Sequence, residues 1–549
     1  MESSHHPPGE LAGFTPPHLG STQMPRWEAA ELPRPPFFTG RNLAMMIGPG
    51  LVLGASAIGG GEWLTGPTIT AQFGGAMLWL CTLSILGQVI YNIEISRYTL
   101  YTGEPIFTGK FRTLPGPMVW VVVYLLLDLG SILPYLASNA AIPAAAMIRG
   151  KLPDPSLPAD AFLLKVLACL IFVSVFIPLT IGGKIYNSMK VLMTFKLIVV
   201  MGFLLFLGIF YSTWDTWYEI FSGFLQFGSI PVKPLVEGET NIANVFTLAS
   251  EGSLWSVFDG TNSRIAFDFA VVGFLASMAA ISGNGGLTNT PTSNYTRDQG
   301  WGMGAHVGAI PSIVGGHAIE LSHVGMVFPI NEESQSRWKG WMRHVGREQW
   351  CLWMPACFLG IALPSMLSVQ FLPRGTVLED KWLAAGMTAD GVSNAVGGSL
   401  GPFFWYMTLF CGLLVLGTSM ASTADGVLRR WVDVFWTALP SLRKWDTRHI
   451  GRLYFAVLCV YMAFGLIMLT LVPGDKLLVA ATGVLYNYAL GFSCFHVLFV
   501  NTLLLPKELQ PGLFRKLCLV LAGCFFSTGA ILSTYVELPK LIKLLSSEV

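Results

Sequence analysis

A carboxylate follows three consecutive glycines at Gly59-Gly60-Gly61-Glu62, inside an apolar stretch long enough to cross a bilayer. Glycine is among the poorest helix formers, so three in a row interrupt a helix. Unpaired backbone at membrane depth is tolerated only where it is buried in protein or lines a cavity. An ionisable residue at such a point marks a functional site. Unwinding frees carbonyls that can replace a cation's hydration shell, and the two half-helix ends supply partial charges of either sign. A second apolar stretch is interrupted at Ser282-Gly283-Asn284-Gly285-Gly286. Aligned from Ala57 and Ala280, five of nine positions agree, which suggests two copies of one unit. The binding set read from the two breaks is Ser56, Gly59, Gly60, Gly61 and Glu62 with Ser282, Gly283, Asn284 and Gly285. Glu62 and Asn284 are the candidates for direct contact with a metal ion.

Further polar residues fall inside apolar stretches and are candidates for coupling or gating: Asp128, Gln88, Thr418, Ser419, Tyr486 and Asn487. Asp128 can relay a proton or make a local hydrogen bond. Glu94 and Arg97, three apart, read as a structural ion pair, and Asp425 can pair with Arg429. His317, Glu320 and His323 recur every three residues and could share a helix face, without a fourth metal ligand. Gly103–Lys110 mimics a phosphate-binding loop, but five residues separate its glycines and Phe111 stands where Ser or Thr must hold magnesium. No nucleophile–base constellation stands out, so an enzyme is not expected.

These residues need membrane-spanning elements to place them. Of 549 residues, 53% are hydrophobic and only 12% charged, with mean hydropathy +0.58, against about a quarter charged in a soluble domain. Apolar runs of about twenty residues predict eleven spans: 42–70, 75–99, 117–148, 162–182, 191–212, 265–289, 350–372, 401–427, 452–472, 476–504 and 514–538. Lys and Arg crowd the side holding the N-terminus by roughly two to one, which puts that terminus in the cytoplasm and the C-terminus outside. The nine cysteines form no CxxC pair, so neither zinc nor a disulfide framework is indicated. A net charge of +1 gives no sign of nucleic acid. The predicted plan is a disordered cytoplasmic tail (1–40), a five-helix repeat (41–212), an acidic outer loop (213–264), a second repeat (265–504) with a long cytoplasmic connection (290–349), and an eleventh helix (513–540).

Gly48-Pro49-Gly50 opens span one, and Gln72-Phe73-Gly74 with Leu78-Trp79 opens span two. In these motifs and in span order, about 41–540 resembles the natural-resistance-associated macrophage protein (Nramp) family of divalent-metal transporters. The resemblance implies an all-α polytopic membrane protein with a leucine-transporter-like fold, a 5+5 inverted repeat plus an eleventh helix. It also implies secondary active transport by alternating access. The departures fall on the family's metal ligands. Where the family carries Asp-Pro-Gly-Asn, this chain has Gly59-Gly60-Gly61-Glu62, and no Met, Pro or His stands at Ile281–Gly285, where the family has Met-Pro-His. The soft ligand is lost, and with it the preference for soft transition metals.

The expected cargo is therefore a hard divalent cation such as Mg2+ or Mn2+, or alternatively a small organic amine or amino acid held through Glu62. No resident cofactor is expected; H+ or Na+ would be the coupled ion. The expected surroundings are a bacterial inner, or plasma, membrane, and the oligomeric state is open. Because glycines make the break, Glu62→Gln is expected to abolish or uncouple transport without unfolding the protein.

Overall fold

The computed structural model describes residues 14–37, 54–55, 57–180, 185–236, 239–308, 324–376, 383–445, 449–471 and 475–547. Ser56, His317, Glu320 and His323 lie outside them.

Helices dominate, and labels are given to those that position the site. After the first break a π turn, Gly61–Thr65, leads into α1 (Gly66–Phe73). Pro67 starts α1, where a missing N–H costs nothing, and Gly74 ends it with φ of +59°. A bend of 94° then leads into α2 (Trp79–Thr102), closed by left-handed Gly103. The predicted span 117–148 is in three pieces: α3 (Pro117–Leu127), α4 (Leu129–Ile132) and α5 (Tyr135–Arg149). Asp128 stands at the first joint. At the second, Pro134 forces Leu133 into extended backbone. Next come α6 (Ile185–Tyr211), α7 (Val272–Ile281), which stops at the second break, and α8 (Pro291–Asp298) beyond it. A long helix from Glu332 passes through a second π turn, Gln349–Trp353, into α9 (Met354–Phe371). Helices α10 (Gly401–Ala438), α11 (Asp475–Leu504) and α12 (Leu513–Ser547) complete the set.

Seven helices among the described residues are long and apolar enough to cross a membrane, or eight with the bent pair counted as one span. Their outer faces carry large apolar side chains such as Ile198, Ile209, Val460 and Leu471, as a lipid-facing surface requires. This is an integral membrane protein.

Two small sheets lie outside the spans. In 229–267, β2 (Ser229–Pro234) pairs antiparallel with β3 (Ile242–Asn244) and with β4 (Ile265–Phe267), which takes the first residues of the predicted span 265–289. At the other end, β1 (Glu28–Ala29) pairs in parallel with β5 (Met326–Val327). The second pairing orders 14–37, part of the segment 1–40 expected to be a disordered tail. Within 14–37, Trp27 is buried against Tyr101, Leu32 is buried, and Arg112 donates to the Pro25 carbonyl at 2.7 Å. Proline-rich composition excluded a helix there but not an extended strap docked on the bundle. We call this end the tail face, and the end bearing β2–β4 the loop face.

Candidate functional site

The two breaks meet on one side chain. Glu62 is 1% exposed. Its Oε2 accepts the Gly59 N–H at 2.9 Å and its Oε1 accepts the Gly283 N–H at 3.0 Å. The first bond is half of a capping box, in which an acidic residue three positions into a helix reaches back to the residue that opens it. The second crosses to the other break. One carboxylate thus satisfies a freed N–H from each break, and such charge-assisted bonds are about twice as strong as neutral ones.

The second break is held by span two. Gln88 Nε2 donates to the Ser282 carbonyl at 2.7 Å, and its Oε1 accepts from Asn284 N (3.1 Å) and Asn289 Nδ2 (2.8 Å). Asn289 Nδ2 also donates to the Asn284 carbonyl at 2.6 Å. Gly283 and Gly286 have φ of +87° and +62°, values that favour glycine. The Ser282 and Asn284 carbonyls, which unwinding would have freed for an ion, are bonded to protein side chains.

Aromatic rings fill the space the glycines leave. A Cβ on Gly60 would stand 3.0 Å from the Tyr135 ring, one on Gly283 3.1 Å from Trp353, and one on Gly285 or Gly286 2.5 Å from Tyr486. The glycines make room, but in this conformation the room belongs to Tyr135, Trp353 and Tyr486.

A lysine stands on the other flank of the first break. Helix α6 is mostly exposed along its apolar part: within 191–211, only 33% of an 18-residue apolar stretch is buried. Its one lysine there, Lys196, is fully buried. Lys196 Nζ donates to Ser419 Oγ on α10 at 2.8 Å, and Ser419 Oγ donates to the Ile58 carbonyl at 3.2 Å. Lys196 and Glu62 act on each other electrostatically across the break.

The other predicted residues have structural partners. Asp128 is not isolated: Arg430 of α10 holds it bidentately at 2.8–3.0 Å and Trp431 Nε1 donates to it at 2.8 Å. Arg430 also donates to the Leu287 carbonyl at 3.0 Å, tying the joint of span three to the second break. Thr418 bonds back to its own helix at Leu414, and Asn487 donates to Ala276 of α7 at 2.9 Å. Glu94 pairs with Arg97 at 2.7 Å and Asp425 with Arg429 at 2.8 Å, as read from spacing. Among the described residues no three His, Cys, Asp or Glu side chains gather as a metal site.

Lys196, Tyr135, Trp353 and Arg430 went unremarked as site residues in the sequence. For Lys196 the signal was present, a lone lysine well inside an apolar run. Tyr135, Trp353 and Arg430 come from other spans, and only the fold brings them in.

No family model matches the chain, and no curated relative does. Solved structures do. The manganese transporter of Eremococcus coleocola, in complex with an aromatic bis-isothiourea compound, superposes with a TM-score of 0.55 over 91% of this chain and 88% of that one, at 13% identity. A variant of the same transporter gives 0.54, covering 92% of this chain and 88% of that one, again at 13% identity. The fold implied by the Nramp resemblance, leucine-transporter-like, is the fold of this chain. At such identity the likeness speaks for the fold alone.

Proposed function

We propose that this chain is a secondary active transporter that works by alternating access around its two broken helices, and that its cargo is a small organic solute such as an amino acid. The observation carrying this reading is Glu62 shared between the Gly59 and Gly283 amides, with Lys196 on the opposite flank. A carboxylate bridging two interrupted helices couples their movement, which is what exchange of access between two faces requires.

The same observation weighs against a bare divalent ion. Such an ion takes about six oxygen ligands and wants compensating negative charge. Here one carboxylate already accepts two N–H bonds, and an ammonium in the site offsets its charge. Cargo with no net charge, or with both signs, suits that balance. The rings of Tyr486, Tyr135 and Trp353 offer apolar and cation–π faces to an organic group, and they must move for it to enter. The cytoplasmic placement of the tail face and the 5+5 repeat belong to the same proposal.

Uptake into proteoliposomes tests it. Radiolabelled amino acids should accumulate, whereas Mg2+ and Mn2+, followed by entrapped indicator dyes, should not. Metal influx without amino-acid uptake would overturn the choice of cargo.

A further inference from the structure

Residues 14–37 are rich in proline, with Pro16, Pro17, Pro25, Pro33, Pro35 and Pro36. Each proline removes an N–H, so this extended chain carries more acceptors than it can pair for itself. The tail face meets them with side-chain donors. Arg443 donates to the Gln23 carbonyl at 2.9 Å and Arg112 to that of Pro25 at 2.7 Å. His306 Nε2 donates to the Glu31 carbonyl at 2.9 Å, Arg337 to that of Leu32 at 2.6 Å and Trp341 Nε1 to that of Pro33 at 2.9 Å. Trp27 anchors the middle, buried against Tyr101 with the Arg112 guanidinium 4.8 Å from its ring centre. Main-chain bonds, a short strand pairing and one side chain in a pocket are how a peptide ligand is held. Here the ligand is the protein's own tail.

The donors stand on two sides of a seam. Tyr101 belongs to α2, α8 packs on α2, and His306 lies in the short helix Gly304–Val307 that follows α8. Arg443 stands on the other side, in the turn Pro440–Arg443 just past α10. Its Nε and Nη2 donate to the Thr437 carbonyl of α10 at 3.1 and 2.8 Å, which leaves Nη1 for the tail. Helix α8 begins just past the second break and is tied to α10 by Arg297 on Asp433 and Arg429 on Asp298. Water can reach that break between the two helices from the tail face only if they part. The tail crosses the same seam from Arg443 to His306, and both of these end bonds lie at the surface. We propose that residues 14–37 are an autoinhibitory strap: anchored by Trp27 on the α2 side and hooked to the end of α10 by Arg443, they hold the tail face shut. Letting go at Arg443 frees α10 from α8 while Trp27 keeps the strap at hand to close again.

This inference rests on the transporter reading, but its first readout does not need the cargo. Hydrogen–deuterium exchange is followed in the full-length protein over 22–33, over 291–298 and, as a control on the loop face, over 229–244. Arg443→Gln should speed exchange in the first two by roughly three- to tenfold, as the loss of one charge-assisted bond allows, and leave the third unchanged. Trp27→Ala should do the same from the other end of the strap. A synthetic peptide of residues 14–37 should return 291–298 of the Trp27→Ala protein to the wild-type rate, and the same peptide carrying Trp27→Ala should not. Amino-acid uptake by Arg443→Gln should exceed that of the wild type. Unchanged exchange at 291–298 in both variants, a rise that includes 229–244, or slower uptake by a folded Arg443→Gln overturns the strap. Faster exchange at 291–298 that the peptide reverses, with no amino-acid uptake by any form, overturns the cargo reading instead and leaves the strap in place.

Discussion

The two ends of the central site are closed by different means. Toward the tail face, α8 is bound to α10 by a chain of buried charges: Tyr295 and Arg429 on Asp425, Arg429 on Asp298, Arg297 on Asp298 and Asp433. Asp128 and Arg430 add a fully buried pair at the joint of span three. Toward the loop face, the ion pair over the bend between α1 and α2 joins Arg374 to Glu219, whose Oε1 also accepts the Gly75 N–H at 3.3 Å. Arg374 is 60% exposed there. A water-exposed pair is worth about 0–1 kcal/mol, whereas breaking one partner out of a buried pair costs about 3–5 kcal/mol. The protein is thus locked on its tail face and latched on its loop face. Opening toward the loop face is the cheaper movement from this conformation.

The contrast breaks most directly at Arg430. Arg430→Met strands the Asp128 carboxylate in the interior and releases the Leu287 carbonyl, so a loss of about 3–5 kcal/mol is expected. Thermal unfolding in detergent should show it as the largest drop of the series. Removing both charges, as Asp128→Leu with Arg430→Met, should recover much of that loss; no recovery would mean the pair serves as more than a matched lock. Glu62→Gln comes next. The amide keeps one acceptor but turns its NH2 toward either Gly59 or Gly283, leaving a buried donor unmatched at about 1–3 kcal/mol. The glycine-only account of the break predicts only that the variant stays folded. Two amides on one carboxylate predict a measurable fall in melting temperature together with loss of uptake. Arg374→Ala should be the mildest. It should shift stability by under about 1 kcal/mol, less at high salt, while raising the reactivity of a cysteine placed at Ser282 toward a membrane-impermeant thiol reagent from the loop face. An unchanged reactivity would refute the latch.

The fold and the breaks were legible because their signals are local. Glycine runs and apolar length each report on a single stretch of chain. Glu62 was legible as a lone carboxylate in such a stretch. Its second partner was not, because the Gly283 amide lies 221 residues away in sequence. Asp128 showed the same limit: its residue type suggested a relay, and only the packing of α10 brought Arg430 and Trp431 onto it. Span 117–148 read as one helix because hydropathy does not register a joint, though Pro134 marked one of the two. The ordered part of the tail was hidden for a related reason. Proline-rich extended chain looks alike in composition whether it is docked or free.

The π turn at Gly61–Thr65 holds one residue more than an α turn closes over. Passing that residue along the helix would rotate the segment before it by about 100° and slide it by about 1.5 Å. The Gln349–Trp353 turn, leading into α9, which packs on both π turns, holds a second such residue. Span one therefore carries slack already wound in. It can turn Glu62 from one set of partners to another as a ratchet moves by one tooth, without melting any helix to find the length.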